Sequence, residues 1–171
     1  MIKNLVFDLG NVLIEWNSEK ILTYFEPDKE RRQALKQAIF DSGVWHQTDK
    51  GELSLKEACD KVLVQLDDSY HSAVQNIFYN WYEVVEVYSG LQEQIRLWAE
   101  QGYRIYILST TCEIFYRIEK AGLLPIFPLL SGYILSSEVG VVKPELEIYQ
   151  KLLKKYSLDP TESVFIDDIQ A

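Results

Sequence analysis

This chain of 171 residues is predicted to be an α/β protein, with a parallel sheet and helices on both faces. Three observations support the prediction. A short apolar run near the N-terminus ends at a carboxylate, Asp8. After residue 88, apolar strands alternate with amphipathic helices, which is typical of a parallel sheet. Between these parts, residues 15–88 show helical stripes and no comparably convincing strand, which indicates an inserted helical block.

The first strand is the apolar run Leu5–Phe7, and it stops at Asp8. Gly10 and Asn11 follow with the chemistry of a turn. A strand that delivers an Asp to the loop at its carboxyl end is a standard way of building a site in α/β proteins. Many strands end in Asp by chance, so the functional interpretation of Asp8 depends on the later strands.

The inserted block is predicted to be a small helical bundle. Pro27 separates a first helix from a second, and Ser54 with Glu57 forms a predicted capping box that opens another. A further helix is expected to begin at Ser69. Each apolar stripe needs a partner, which favours a bundle. A loop of this block carries His46, for which substrate contact and plain packing are equally good interpretations.

Strands and helices alternate through the rest of the chain. The predicted elements are a helix after a second capping box (Ser89–Gln92), a strand at Tyr103–Leu108, a helix after Ser109–Thr111, a short strand at Tyr133–Leu135, a helix at Glu145–Lys155 and a strand at Val164–Ile166 that ends in Asp167 and Asp168. This order predicts a core of residues 1–14 and 89–171, into which residues 15–88 are inserted.

Composition excludes several classes of function. The net charge of −9 argues against a nucleic-acid binder, because phosphate contacts need clustered Lys and Arg. No apolar stretch is long enough to cross a bilayer, and no signal peptide is evident. The two cysteines, Cys59 and Cys112, indicate neither a disulfide framework nor a metal motif. We therefore expect a cytoplasmic protein without a membrane or nucleic-acid partner.

Five polar side chains fall at comparable places in the predicted sheet. Asp8, Ser109 and the pair Asp167–Asp168 follow strands, and Lys143 lies just before a helix. Because the carboxyl ends of parallel strands share one edge, we expect these side chains to converge. Grouped carboxylates suit Mg²⁺, while a hydroxyl and an ammonium suit a phosphoryl group. These are the parts needed to transfer a phosphoryl group to Asp and then hydrolyse it.

The sequence resembles the haloacid dehalogenase-like (HAD) superfamily of phosphatases. The matching stretches occur in the family's order and cover essentially the whole chain: Phe7–Val12, Leu108–Thr110, Gly140–Glu145 and Phe165–Asp168. The helical block lies where that family has its cap domain. The residues of Asp8–Val12 and of Gly51–Ser54 are similar to those of the branch that contains sugar-phosphate phosphatases and the N-terminal phosphatase domain of soluble epoxide hydrolase. The resemblance implies a Rossmann-like core with a helical cap.

The resemblance also implies roles for individual residues and a small phosphorylated metabolite as substrate. Asp8 would be the nucleophile that forms an aspartyl-phosphate, and the loop through Glu15 and Trp16 would be a flap. The other implied roles are Mg²⁺ ligation by Asp8, the Gly10 carbonyl and Asp168, with Asp167 behind them, and phosphoryl or substrate binding by Ser109, Thr110, Lys143 and Asn11.

Two features depart from the family pattern. Most phosphatases of the superfamily carry a second Asp two residues after the nucleophile, where this chain has Gly10. That Asp protonates the leaving group and later activates water, help that is typically worth ~10²–10⁴ in rate. Family members also continue after the paired aspartates, so we expect a C-terminal helix and strand to be missing from this sequence.

Alternatives are a weakly active relative that binds phosphate or a partner, and a haloacid dehalogenase, which needs no Mg²⁺. A response-regulator receiver would have its acidic pair first and its Lys-Pro last, which is not the order here. A nicotinamide-binding domain is disfavoured because the first turn lacks G-x-G-x-x-G. No His accompanies Cys112, so we expect a plain free thiol there.

Overall fold

The computed structural model describes residues 1–169, and its architecture confirms the predicted α/β class. The strands are β1 (Asn4–Phe7), β2 (Arg104–Ser109), β3 (Leu130–Leu135) and β4 (Ser163–Ile166). The helices are α1 (Ser18–Phe25), α2 (Lys29–Lys36), α3 (Val44–Asp49), α4 (Leu55–Leu63), α5 (His71–Tyr79), α6 (Ser89–Glu100), α7 (Ile114–Lys120), α8 (Ser136–Val139) and α9 (Leu146–Tyr156).

The four described strands form one parallel sheet in the order β3-β2-β1-β4. Phe7 of β1 pairs with Ile107 of β2 on one side and with Ile166 of β4 on the other. Asp8 and Asp167 therefore leave the sheet at the same level. The backbone N–H of Asp8 still donates to the Ile166 carbonyl at 2.9 Å, so the nucleophile candidate has a fixed backbone.

The two faces of the sheet are covered by different apolar groups, as expected for helices on both faces. The larger core includes Phe7, Ile105 and Phe115 and continues into the helices between β1 and α6. The smaller core includes Val6, Tyr106 and Leu108, which pack against Ile148 and Leu152 of α9. Alternate residues of β1 and β2 thus serve opposite faces, which is why these strands are apolar without interruption.

The segment between β1 and α6 (residues 15–88, called the insertion below) is helical. The expected capping box forms at α4, where Ser54 accepts from Glu57 N and the Glu57 carboxylate accepts from Ser54 N. Whether the insertion is a separate domain stays a prediction, and the last two residues of the predicted core, 170–171, lie outside the described residues.

Two local predictions are wrong. Ser89 does not cap α6, and Gln92 is buried instead, donating to the carbonyls of Leu13 at 3.2 Å and Leu123 at 3.0 Å. These hydrogen bonds satisfy two carbonyls that would otherwise be buried without a donor, and this gain in stability exceeds that of an exposed helix cap. The stretch around His46 is helix α3 rather than a loop. Within residues 1–169, no helix combines the length and apolarity that a bilayer crossing requires.

Candidate active site

The predicted residues meet at the carboxyl edge of the sheet, around a cavity of about 360 Å³. Asp8 follows β1, Ser109 ends β2, and the paired aspartates follow β4. Lys143 reaches the same place from the segment before α9. The residues lining the cavity include the whole predicted set: Asp8, Gly10, Asn11, Ser109, Thr110, Lys143, Asp167 and Asp168.

Lys143 bridges two carboxylates at the floor of this cavity. Its Nζ lies 2.8 Å from Asp8 Oδ2 and 2.6 Å from Asp167 Oδ2. All three side chains are nearly buried, with exposed fractions of 11–12%. Breaking a pair of this kind leaves an uncompensated buried charge, so each partner requires the others.

The two carboxylates respond differently to this environment. Burial raises the pKa of Asp8 above its ordinary value, although Lys143 and the Leu9 N–H, which donates to Asp8 Oδ1 at 2.7 Å, act against the shift. For Asp167, burial is outweighed by the hydrogen bonds from Lys143 and from Ile169 N, and its pKa falls. Asp167 is therefore held as the anion, whereas Asp8 stays harder to ionise without a further cation.

Asp8, Asp167 and Asp168 form an acidic cluster whose candidate ligand oxygens all lie within 4.8 Å of one another. Three carboxylate oxygens at this spacing fit a small hard cation such as Mg²⁺. Lys143 neutralises only part of their charge, so a divalent cation would also relieve the remaining repulsion. Gly10 lines the same cavity, which places its carbonyl in the neighbourhood of the cluster.

Ser109 and Thr110 bring hydroxyl groups to the same edge. Ser109 is buried at the end of β2 and lines the cavity. Thr110 Oγ1 accepts from the backbone N–H of Lys143 at 3.1 Å, which ties the loop after β2 to the lysine segment. The two segments that were expected to bind a phosphoryl group are thus joined directly.

Asn11 connects the acidic cluster to the insertion. Its backbone has a positive φ of 54°, a left-handed conformation that asparagine tolerates better than most residues. Its Nδ2 donates to Asp168 Oδ2 at 3.1 Å, and its Oδ1 accepts from Trp16 N at 2.8 Å. The sequence predicted Asn11 as a substrate contact, and the structure adds this bridging role.

A second wall of the cavity is aromatic and comes from the insertion. Trp16, Trp45 and Trp81 line it and are called the tryptophan wall below. The ring centroids of Trp16 and Trp45 are 5.1 Å apart and stacked, and those of Trp16 and Trp81 are 4.9 Å apart and edge to face. Such pairs are favourable beyond their burial, which gives the wall a defined shape. Of the three, Trp16 lies in the loop for which the resemblance implied the role of a flap.

Asp49 at the end of α3 also lines the cavity, and sequence reasoning missed it. It is partly buried, and removal of its carboxyl from water raises its pKa well above the ordinary value, with a hydrogen bond from the Trp45 side chain acting against the shift. Among residues 1–169, no basic side chain forms an ion pair with Asp49. No local pattern marks it, because its environment comes from tertiary packing.

The end of α3 is attached to the core next to Asp49. Ser136, which is fully buried after β3, donates its hydroxyl to the Asp49 carbonyl and accepts from Thr111 N at 2.9 Å. Gly51 has a φ of +79°, and a Cβ there would lie 2.1 Å from the Ser137 carbonyl oxygen. Only glycine allows this close approach of the two backbones.

His46 and the two cysteines take no part in this cavity. His46 is exposed on α3 and is not among the lining residues. Cys112 is buried, and burial raises the pKa of its thiol to about 12, while Cys59 is raised to about 11 for the same reason. Both are free thiols, and neither has the lowered pKa of a reactive cysteine.

Known proteins resemble this chain over nearly its whole length. The family model for "haloacid dehalogenase-like hydrolase" matches residues 2–171. The sesquiterpene phosphatase astK of Aspergillus oryzae is 24% identical over 97% of this chain and 80% of its own length. The D-ribitol-5-phosphate phosphatase of Bacteroides thetaiotaomicron is 23% identical over 98% of this chain and 84% of its own.

Among solved structures, the HAD family enzyme bt-2542 of Bacteroides thetaiotaomicron, crystallised with magnesium and inorganic phosphate, matches with a TM-score of 0.77. The two sequences are 25% identical, and the match covers 99% of this chain and 86% of that one. The family expected from the motifs is therefore confirmed, since its model spans essentially the whole sequence. The chain belongs to the haloacid dehalogenase-like hydrolases.

Proposed function

We propose that this protein is a Mg²⁺-dependent phosphatase that hydrolyses small phosphate monoesters through an aspartyl-phosphate on Asp8. The observation that carries the proposal is the group of Asp8, Lys143 and Asp167, with Asp168 beside them, at one edge of the sheet. It combines a nucleophile, a cation and a cluster of carboxylates, of which Asp8 and Asp167 are nearly buried and Asp168 is exposed. The two curated relatives named above are both phosphatases, which supports the same conclusion.

In the proposed reaction an Asp8 carboxylate oxygen attacks phosphorus, and the bond from phosphorus to the leaving oxygen breaks. Lys143, Ser109 and Thr110 are the groups that can hold the non-bridging phosphoryl oxygens, through an ammonium and two hydroxyls. Water then hydrolyses the aspartyl-phosphate and returns the Asp8 carboxylate. The fixed backbone of Asp8 keeps its carboxylate in place for both steps.

Asp8, Asp168 and the Gly10 carbonyl would hold Mg²⁺, with Asp167 beside them. When bound, Mg²⁺ supplies positive charge that favours the ionised form of Asp8 and neutralises phosphoryl oxygens. This role fits the electrostatics of the site, because burial disfavours the Asp8 anion and Lys143 only partly offsets the effect. The solved relative with magnesium and inorganic phosphate supports the same choice of cation.

The cavity indicates which part of a substrate the insertion would contact. The phosphoryl group belongs at the charged floor, so the leaving group must extend towards the tryptophan wall. Named relatives act on a sesquiterpene phosphate and on a polyol phosphate, two very different leaving groups. We propose that the insertion acts as a cap that selects the leaving group, whereas the floor recognises only phosphate.

The test is hydrolysis of p-nitrophenyl phosphate and of a panel of polyol, sugar and prenyl phosphates by the purified protein. We expect turnover that requires Mg²⁺, stops with a chelator and is lost in Asp8→Asn, by at least ~10³-fold, since the nucleophile is removed. Activity that survives Asp8→Asn would refute the assigned nucleophile.

The weakly active alternative rests on Gly10, which removes the usual acid. It would be favoured if the folded protein bound inorganic phosphate and Mg²⁺ but hydrolysed no member of the panel. Halide release from a 2-haloacid that is unaffected by chelator would instead indicate a dehalogenase.

A further inference from the structure

Because position 10 is glycine, the proposed reaction still lacks a proton donor for the leaving group. A Cβ added to Gly10 would lie 3.3 Å from Trp16 Cβ, closer than an ordinary van der Waals contact. A carboxylic side chain at position 10 would therefore press against Trp16. The chain has a member of its tryptophan wall near the place where most relatives have their acid, so a proton must come from elsewhere.

The direction of attack limits where that proton can come from. In an in-line displacement the leaving oxygen lies on the side of phosphorus opposite the nucleophile. Asp8 attacks from the sheet edge, and Lys143, Asp167 and Asp168 lie with it on the core side. The leaving oxygen therefore points towards the insertion, and a general acid must reach it from there.

The carboxyl groups that line the cavity are those of Asp8, Asp167, Asp168 and Asp49. Three of them form the acidic cluster, whereas Asp49 belongs to the insertion and pairs with no basic side chain in residues 1–169. Resting on the proposed phosphatase function, we propose that Asp49 is the general acid and base of this enzyme and replaces the carboxylate that is absent at position 10.

The environment of Asp49 suits the role. A general acid must carry its proton near neutral pH, and burial beside Trp45 favours the protonated carboxyl. The backbone contact with Ser136 fixes the end of α3, so the carboxyl is held in place relative to the core. The alternative donor in the lining is Tyr149 on α9, but burial raises the pKa of its phenol, so it gives up a proton less readily than a carboxyl in the first step.

The protons balance over the two steps. As the bond from Asp8 to phosphorus forms, the leaving oxygen takes the Asp49 proton and departs as an alcohol. The Asp49 carboxylate then accepts a proton from water while the water oxygen attacks phosphorus. The bond to Asp8 breaks, which yields phosphate, the Asp8 carboxylate and a protonated Asp49 ready for another cycle.

The experiment compares leaving groups that do and do not need a proton. The substrates are p-nitrophenyl phosphate, whose leaving group departs as a stable anion, and the best alkyl phosphate of the panel above. In Asp49→Asn we expect kcat for the alkyl phosphate to fall ~10²–10⁴-fold, with KM little changed. The rapid burst of p-nitrophenol should persist, but a slow steady state should follow and the phosphorylated protein should accumulate.

Asn has the shape of Asp, so the fold should persist, and thermal melting checks it. Asp49→Glu should restore part of the alkyl phosphatase activity. Asp41→Asn, the same substitution at an exposed position of the insertion, should leave the activity on both substrates unchanged.

Three outcomes would overturn the assignment. They are loss of the p-nitrophenol burst in Asp49→Asn, no loss of turnover on either substrate, or a selective loss on the alkyl phosphate in Tyr149→Phe instead. If the wild-type protein showed no Mg²⁺-dependent hydrolysis at all, the proposed function would fail and this role with it. If the wild type and Asp8→Asn behaved as expected but Asp49→Asn were fully active, only the role of Asp49 would fail.

Discussion

The two walls of the active-site cavity differ in chemistry and in origin. The floor consists of charged groups from two strand ends and from the segment before α9: Asp8 and Asp167 are joined through Lys143 by contacts of 2.6–2.8 Å. The wall from the insertion is aromatic, with one carboxyl, Asp49, at its edge. A charged floor fits the phosphoryl group that all substrates share. An apolar wall fits the leaving group that distinguishes them, and it lowers the local dielectric, which strengthens the charges below.

The largest effect is expected at the floor, from Lys143→Met, which removes the ammonium and keeps most of the stem. Two nearly buried carboxylates would lose their counter-ion, a change that typically costs about 3–5 kcal/mol in the free energy of unfolding. Urea unfolding in chelator should show this loss. Added Mg²⁺ should recover part of it because it replaces the missing charge, whereas the affinity for inorganic phosphate should fall.

A matched control for this prediction is Lys36→Met, which breaks the exposed ion pair with Glu19. Exposed pairs contribute ~0–1 kcal/mol, so little change is expected. Similar losses in the two variants, or a loss in Lys143→Met that Mg²⁺ leaves untouched, would contradict the role of the floor described above.

A smaller and more selective effect is expected at the wall, from Trp16→Ala. Its ring packs against Trp45 and Trp81, and an aromatic contact with a leaving group contributes about 0.5–1.5 kcal/mol. KM for p-nitrophenyl phosphate should therefore rise by up to ~10-fold, since 1.4 kcal/mol corresponds to a factor of ten. Inhibition by inorganic phosphate, which contacts only the floor, should change less than about twofold.

Trp98→Ala provides the control, because Trp98 stacks on Phe7 away from the cavity. It should lower the melting temperature without raising KM. If phosphate inhibition weakened as much as KM rose in Trp16→Ala, the claim that the floor binds phosphate and the wall binds the leaving group would be wrong.

The smallest effect is a pH-dependent gain in stability from Asp49→Asn. The pKa of Asp49 is raised in the folded protein, so its contribution to stability is present at low pH and is lost as pH rises above the ordinary value of ~3.9. Asn does not ionise. The variant should therefore match the wild type near pH 4 and exceed it at pH 7–8, where ~1 kcal/mol would raise the melting temperature by about 2–4 °C.

Melting curves across this pH range, with Asp41→Asn as an exposed control, check the prediction. A gap between Asp49→Asn and the wild type that stayed constant with pH would show that Asp49 is not held protonated by its surroundings.

The floor was accessible from the sequence, whereas most of the wall was not. Asp8, Ser109 and Asp167 follow apolar strands, and the topology of a parallel sheet brings such residues together. Helix α3 has only six residues and begins after a left-handed Gly43, so its apolar period is too short to recognise. Asp49 is marked by nothing local, because its burial depends on residues distant in sequence, such as Ser136.

The mistaken capping box at Ser89 follows from the same limit. A local pattern of residue types predicted an exposed cap, but Gln92 satisfies two carbonyls that belong to other parts of the chain. A buried acceptor without a donor is costly, so the tertiary contact prevails over the local one. Local sequence patterns therefore predict strands and their ends better than they predict the tertiary contacts that those ends make.

The close approach of Gly51 to Ser137 has a mechanical consequence. If the insertion moves when substrate enters, the end of α3 is the part that moves least, since the two backbones have no space between them there. Motion is then a rotation about this fixed point, and its amplitude grows with distance from Gly51. Asp49, two residues away, would keep its distance to the sheet edge while the far side of the insertion opens. The far side of the insertion would then control the entry of substrate, while the fixed end of α3 would hold the group that transfers the proton.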